Sequence, residues 1–232
     1  ARELLGDIAS FEKDWETAIS YYEDLLQQDP NSAVYNFKLG GALGMKAMEG
    51  SKFQAAMLVG DIKKYLNKAA ELHPTNPEVR RALVEFYMQI PAIVGGSRST
   101  AQSFASELKN INPIDYLLAQ AYIHNYDGET EKARSLIQKA ISLAKNDKSL
   151  VVRNYLFYEL GERAAKFKID PDAGISFLQN YIRGYGYKDL KSPAWAYLQM
   201  ARLQSNKQNK QQALELVEKA LSAKSDFPEA RK

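Results

Sequence analysis

The sequence predicts an all-α chain of about six helical hairpins, and three observations carry that prediction. A pattern of small and large residues recurs: Leu5-Gly6 with Ala18, Tyr22 and Pro30 returns as Leu160-Gly161 with Ala173 and Phe177. The intervals Gly6 to Ala18, Gly161 to Ala173 and Ala201 to Ala213 are each 12 residues, with a large side chain four beyond each Ala (Tyr22, Phe177, Val217). An oxygen-bearing residue stands before Pro at Asn76-Pro77, Asn112-Pro113, Asp170-Pro171 and Ser192-Pro193, the signature of a capped helix start. No segment alternates with period two for long enough to make a strand.

Taken in order, the helices are expected at 2–12, 15–28, 32–49, 52–73, 77–90, 98–110, 113–125, 129–144, 149–167, 171–183, 193–205 and 209–223. They pair as A and B helices of six hairpins in one domain, 1–31, 32–75, 76–112, 113–146, 147–190 and 191–232. The second hairpin separates Leu39-Gly40 from its Ala69, Leu72, Pro74 ending by ten residues too many, so its helices or their turn must be longer than standard. The third carries Pro91 to Gly96 as an inserted turn, with Ser97 or Ser99 as the next helix cap. The sixth has Gln208 where a turn glycine is usual, and Phe227 to Arg231 could open another helix or cap the array.

These spacings resemble the tetratricopeptide repeat, a 34-residue helical hairpin with Leu-Gly/Ala, an aromatic, Ala and Pro at fixed offsets. The resemblance implies a right-handed α-solenoid in which Gly or Ala lets the A and B helices approach closely. A narrower resemblance lies in Phe86 to Ser97, which is similar to bacterial envelope repeat proteins with a Pro-x-x-x-Gly-Gly-Ser turn. It implies a bacterial periplasmic or envelope location, the cytoplasm being the alternative. The start at Ala1, without Met, fits a longer precursor.

Composition removes several chemistries. The 232 residues hold no Cys and two His, which excludes disulfides, thiolate catalysis and Cys-bearing zinc sites. A net charge of +3 is too small for a nucleic-acid field, and no apolar run of about 18 residues could span a bilayer. His73 and His124 have no ligand-spaced partner, and Glu159 and Glu162 read as a solvated helix face or as ion-pair partners, for instance Glu162 with Lys166 at i, i+4. The Gly95-Gly96-Ser97 turn lacks the Gly-Lys-Ser/Thr of a phosphate loop. No catalytic residue, metal or cofactor is therefore expected, and the chain is read as a non-enzyme.

The family resemblance places ligand contacts on the concave A-helix face. Residue by residue this gives Phe37 and Met45; Arg81, Glu85 and Met88; Tyr116 and Gln120; Tyr155, Tyr158 and Glu162; Trp195 and Arg202. Aromatics, Met and isolated charges suit an extended peptide, although several of the aromatics could instead pack between hairpins. The family's carboxylate-clamp positions hold Glu3, Asp7, Lys38, Glu78 and Ala82, so a carboxylate tail is not the expected ligand. Residues 1 to 30 carry Arg2 and Lys13 against eight carboxylates, net −6, which leaves +9 for the remainder. The tyrosines in Asn180 to Lys188 are either further contact residues or, for Tyr181 and Tyr185, a plug at the last hairpin junction.

The expectation is a protein- or peptide-binding scaffold in a bacterial envelope complex, a monomer or weak self-associator. The alternative is a periplasmic accessory that handles a small ligand for solute uptake, like the T components of TRAP transporters. An apolar pocket around Phe37, Met45 and Met88 would favour that alternative.

Overall fold

The computed structural model of the chain describes residues 1–187, 189 and 191–231; Lys188, which closes the tyrosine-bearing stretch, lies outside the described residues. Among the described residues there are twelve α-helices, four 3-10 turns and no strand. They form two compact units, Ala1–Asp127 and Gly128–Lys232, divided at the turn inside the hairpin expected at 113–146.

The first unit holds α1 (Arg2–Glu12), α2 (Trp15–Gln28), α3 (Ala33–Glu49), α4 (Lys52–Leu72), α5 (Pro77–Gln89), α6 (Arg98–Glu107) and α7 (Pro113–Tyr126). Neighbours pack in sequence as antiparallel hairpins, α1 on α2, α3 on α4 and α5 on α6. The small residues explain the close approach. A Cβ on Gly6 would stand 2.6 Å from the Tyr22 ring, and one on Gly40 would stand 2.9 Å from Leu66. Leu66 lies 26 residues after Gly40, whereas Tyr22 lies 16 after Gly6. The turn between α3 and α4 is only Gly50-Ser51, closed by a capping box with Gln54, so the ten extra residues lengthen both helices.

Side-chain oxygens start the helices where the sequence places them. Asn76 accepts from the amides of Glu78 and Val79, Asn112 from those of Ile114 and Asp115, and Asp170 from that of Ala173. Ser192 makes no side-chain cap bond, and there Pro193 alone marks the start. In the inserted turn Gly95 takes φ 101° and a Cβ on Gly96 would collide with the carbonyl of Ile90. Ser97 then caps α6 through the Thr100 amide.

The second unit holds α8 (Thr130–Asn146), α9 (Asn154–Phe167), α10 (Pro171–Arg183), α11 (Pro193–Asn206) and α12 (Lys210–Ala223). The helix expected from 149 begins only at Asn154. Asp147 caps a 3-10 turn over Lys148–Leu150, and Val151 and Val152 follow outside any helix, as suits two successive β-branched residues. The third B helix likewise ends early, with Leu108–Asn110 tightening into a 3-10 turn around the fully buried Leu108. Gly161 repeats the close approach of the first unit, its position 2.4 Å from Leu178 if a Cβ were added.

Past α12, Pro228–Ala230 form a short 3-10 turn. Phe227 is fully buried and joins Ala194, Leu198, Ala220 and Ala230 in a small core.

Candidate functional site

The A helices of the first unit are α1, α3, α5 and α7. On α1 and α3, Lys38 donates to Glu3 at 2.7 Å and to both carboxylate oxygens of Asp7 at 2.6 and 2.8 Å. Tyr22 donates to Asp7 at 2.9 Å, which ties the cluster into the hairpin. Burial pulls the Lys38 amine down, but its hydrogen bonds to Asp7 and Glu3 outweigh that and hold the ammonium above the ordinary lysine range. Lys38, the one cation at the family's carboxylate-binding positions, is thereby neutralised from within the chain.

From Lys38 the same face of α3 continues through Gly41, Met45 and Met48 at helical spacing. Nothing lies within 4 Å of a Cβ built on Gly41 or Gly44, while Met45 is 39% and Met48 66% exposed. Phe37 is half-buried against the core. On α5 and α7, Arg81 pairs with the fully buried Asp115 at 3.4 Å and with Glu85 at 3.9 Å, and Gln89 donates to the Tyr122 hydroxyl at 2.9 Å. Arg81 and Met88 are buried, Glu85 and Tyr116 half-buried, and Gln120 is buried with its amide nitrogen making no hydrogen bond.

In the second unit the expected residues separate sharply. Tyr155 and Glu162 are half-buried and Arg202 is exposed, where it donates to Gln199. Tyr158 is a correction: it has no exposed surface, stacks on Tyr155 at 5.6 Å and packs on Tyr181 at 5.2 Å, so it belongs to the core and walls no groove. Burial pushes its phenol well above the ordinary range, and it stays a neutral donor to Glu162 at 3.2 Å. Trp195 is half-buried, its ring meeting Phe227 edge-on at 4.7 Å with the Lys191 ammonium 4.5 Å from its centroid. Of the loop tyrosines, Tyr181 is buried and contacts Tyr185, while Tyr187 is exposed.

Sequence reasoning did not find Asp115 as the partner of Arg81. Asp115 reads as an ordinary first-turn acid after Asn112-Pro113, and nothing local distinguishes it. A groove of about 980 Å³ also escaped notice; it runs between α2 and α4 and is lined by Glu23, Gln27, Asn36, Lys63, Lys64 and Asn67 among others, and by none of Phe37, Met45 or Met88. Among the described residues no group of three His, Asp or Glu side chains could hold a metal, and no helix is long and apolar enough to cross a membrane.

Two stretches, residues 1–32 and 196–227, match family models described as Tetratricopeptide repeat. At those two stretches the chain is similar to tetratricopeptide repeats, and its described residues form an all-α scaffold of helical hairpins. No curated protein matches it in sequence. Among solved structures, the APC/C hetero-tetramer Cut9-Hcn1 matches 94% of this chain and 38% of its own at 16% identity and a TM-score of 0.55. PilW, a widely conserved type IV pilus biogenesis factor, matches 99% of this chain and 95% of its own at 13% identity and a TM-score of 0.50. At these identities the likeness is one of fold. This chain spans well under half the length of the Cut9-Hcn1 chain.

Proposed function

We propose that the protein is a non-catalytic adaptor that binds an extended segment of another protein on the A-helix face of its first unit. The observation that carries this reading is the open strip on α3: Gly41 and Gly44 have free space above them and Met45 is exposed. A strip without Cβ atoms admits a peptide backbone, and a flexible thioether beside it adapts to varied side chains. Phe37, Glu85 and Tyr116 are half-buried on the same set of helices, with Arg81 held behind them by Asp115. In the second unit Tyr155, Glu162 and Arg202 are the corresponding contacts, with Trp195 partly engaged by Phe227.

Because Lys38 is saturated by Glu3 and Asp7, the ligand is read through its side chains and backbone rather than through a terminal carboxylate. On the resemblance of residues 86 to 97, the adaptor works in a bacterial envelope complex. A photo-reactive side chain placed at Met45 in the native host tests the site: a specific cross-linked partner whose affinity falls at least tenfold with Gly41→Trp supports it. Cross-links that form equally well at Asp61, an exposed residue of α4, would sink it. Fractionation of that host tests the compartment, and recovery of the chain only with cytoplasmic markers would refute the envelope assignment.

A further inference from the structure

The groove between α2 and α4 lies inside the first unit, with a wall on either side. Its floor is α3, whose Asn36 and Leu39 are buried. From Gly60 to Glu71 the α4 wall spans about 16 Å at the rise of a helix, room for about five residues of extended chain.

Three features of the lining are left unused by the fold. Lys63 and Lys64 are exposed and pair with no carboxylate among the described residues; each ammonium lies only over a ring, 5.9 Å from the centroid of Tyr87 and 4.8 Å from that of Tyr65. Elsewhere in this unit lysines at helix junctions are matched, Lys13 to Glu49, Lys38 to Glu3 and Lys46 to Glu16. Asn36, only 3% exposed, gives both amide hydrogens to the carbonyls of Pro30 and Ser32, while its Oδ1 accepts no hydrogen bond among the described residues. Asn67 on the α4 wall is alike: its amide donates to the Lys63 carbonyl and the Tyr87 hydroxyl, and its oxygen accepts nothing. A carbonyl oxygen held out of water in this way is unfavourable until a donor meets it. Gly60 stands in mid-helix on the groove side with nothing within 4 Å of a built Cβ, a choice that weakens α4 and leaves room for a second backbone.

We propose that this groove binds an extended acidic segment of a partner protein, its backbone N–H groups donating to Asn36 and Asn67 and its carboxylates meeting Lys63 and Lys64. The two kinds of free group select that occupant together. Lysines alone would take any anion, but an orphan carboxamide oxygen needs a donor, which a phosphate chain lacks and a peptide backbone supplies. Glu23, exposed on the α2 wall, keeps the acids of the occupant on the α4 side. Among the described residues this chain is helix and short turns, so a second copy offers no extended acidic segment to fill the groove. The groove is lined by neither Gly41 nor Met45, and this proposal and that of the α3 strip can fail independently.

The test is fluorescence titration of the full chain with a labelled peptide of about eight residues, blocked at both ends, in which Glu alternates with Val so that the acids share one side. Saturable binding is expected, weakened at least tenfold by Lys63→Glu with Lys64→Glu, by Gly60→Trp, and by Gln in place of Glu in the peptide. It should be unchanged by Lys210→Glu with Lys219→Glu, which shifts the net charge equally on α12, and by Gly41→Trp on the α3 strip. Every substituted position is exposed, and an unchanged circular dichroism spectrum checks that the variants fold. No saturable binding, equal binding of the Gln peptide, or an equal loss from the α12 variant overturns the proposal. So does tighter binding of inorganic polyphosphate that depends on Lys63 and Lys64, which would give the groove to a phosphate chain. Sedimentation showing a wild-type dimer that the Lys63 and Lys64 variant splits overturns it too, in favour of a second copy.

Discussion

Trp195 and Phe227 meet edge to face, their ring centroids 4.7 Å apart and their planes at 64°. The contact joins the first turn of α11 to a segment past the last helix, and it buries Phe227 completely. Phe227→Ala is expected to cost about 3–5 kcal/mol through lost burial and the cavity left beside Ala194, Leu198 and Ala220. Urea unfolding followed by tryptophan fluorescence checks it, with a red shift as Trp195 becomes wet. A loss below about 1 kcal/mol would mean that the turn merely rests on the hairpin.

Two glycines on equivalent helices should respond in opposite directions. Gly6→Ala forces a methyl against the Tyr22 ring at 2.6 Å and is expected to destabilise by about 1–3 kcal/mol. Gly41→Ala sits in mid-helix with empty space around it and is expected to stabilise by about 0.5–1 kcal/mol. Paired thermal melts decide the point, and the same sign for both would refute the packing account.

Lys38 links the fold to alkaline pH. Its folded pKa lies above the unfolded value, so the stabilisation is complete below the ordinary lysine pKa of about 10.4 and is lost as pH rises through the higher folded value. Lys38→Met leaves Asp7 and Glu3 facing each other without a cation and is expected to cost about 1–3 kcal/mol at pH 8. Its stability should then fall less steeply than that of the wild type above pH 10. Parallel curves would show that the three charges do not act together.

Asp170 does the opposite at acid pH. The Lys145 ammonium, 2.7 Å away, holds its carboxyl below the usual range against a smaller effect of burial, and the Ala173 amide adds to it. A lowered folded pKa gives stabilisation that is present above the unfolded value and lost as pH falls through the folded one. Asp170→Asn keeps the cap and removes the charge, so its acid unfolding curve should be flatter than the wild type's. Asp170→Ala removes the cap as well and is expected to cost about 1 kcal/mol at neutral pH.

Gln208 occupies the last A-to-B turn at φ 63°, where the fourth hairpin has Gly128 at 79°. A side chain in that region is strained, and Gln208→Gly is expected to stabilise the second unit by about 0.5–1 kcal/mol. Unchanged or reduced stability would show that the glutamine side chain compensates for its backbone.

Much of the fold is readable along the chain because its causes are local. The 12-residue interval between small residues, the Asn-Pro and Asp-Pro caps and the absence of alternation place every helix of both units. The largest boundary error, at 149 against Asn154, comes from Asp147 capping a 3-10 turn instead of the helix. The A-helix register also placed Tyr155 and Tyr158 together on one face, where the structure has them stacked at 5.6 Å. It could not say that only Tyr155 reaches solvent.

What the sequence alone determined is therefore the hairpin array and its close helix pairs, both of which follow from residues on the same or adjacent helices; the structure decided that the excess of the second hairpin lies in α3 and α4 rather than in their turn. Tertiary structure alone decided which parts of each A-helix face remain open. Tyr158 is covered by Tyr181, Arg81 is drawn in by Asp115, and Lys38 is satisfied by acids 31 and 35 residues earlier. The reason is physical: helical periodicity assigns a side chain to a face, but exposure and charge on that face depend on what distant segments bring against it.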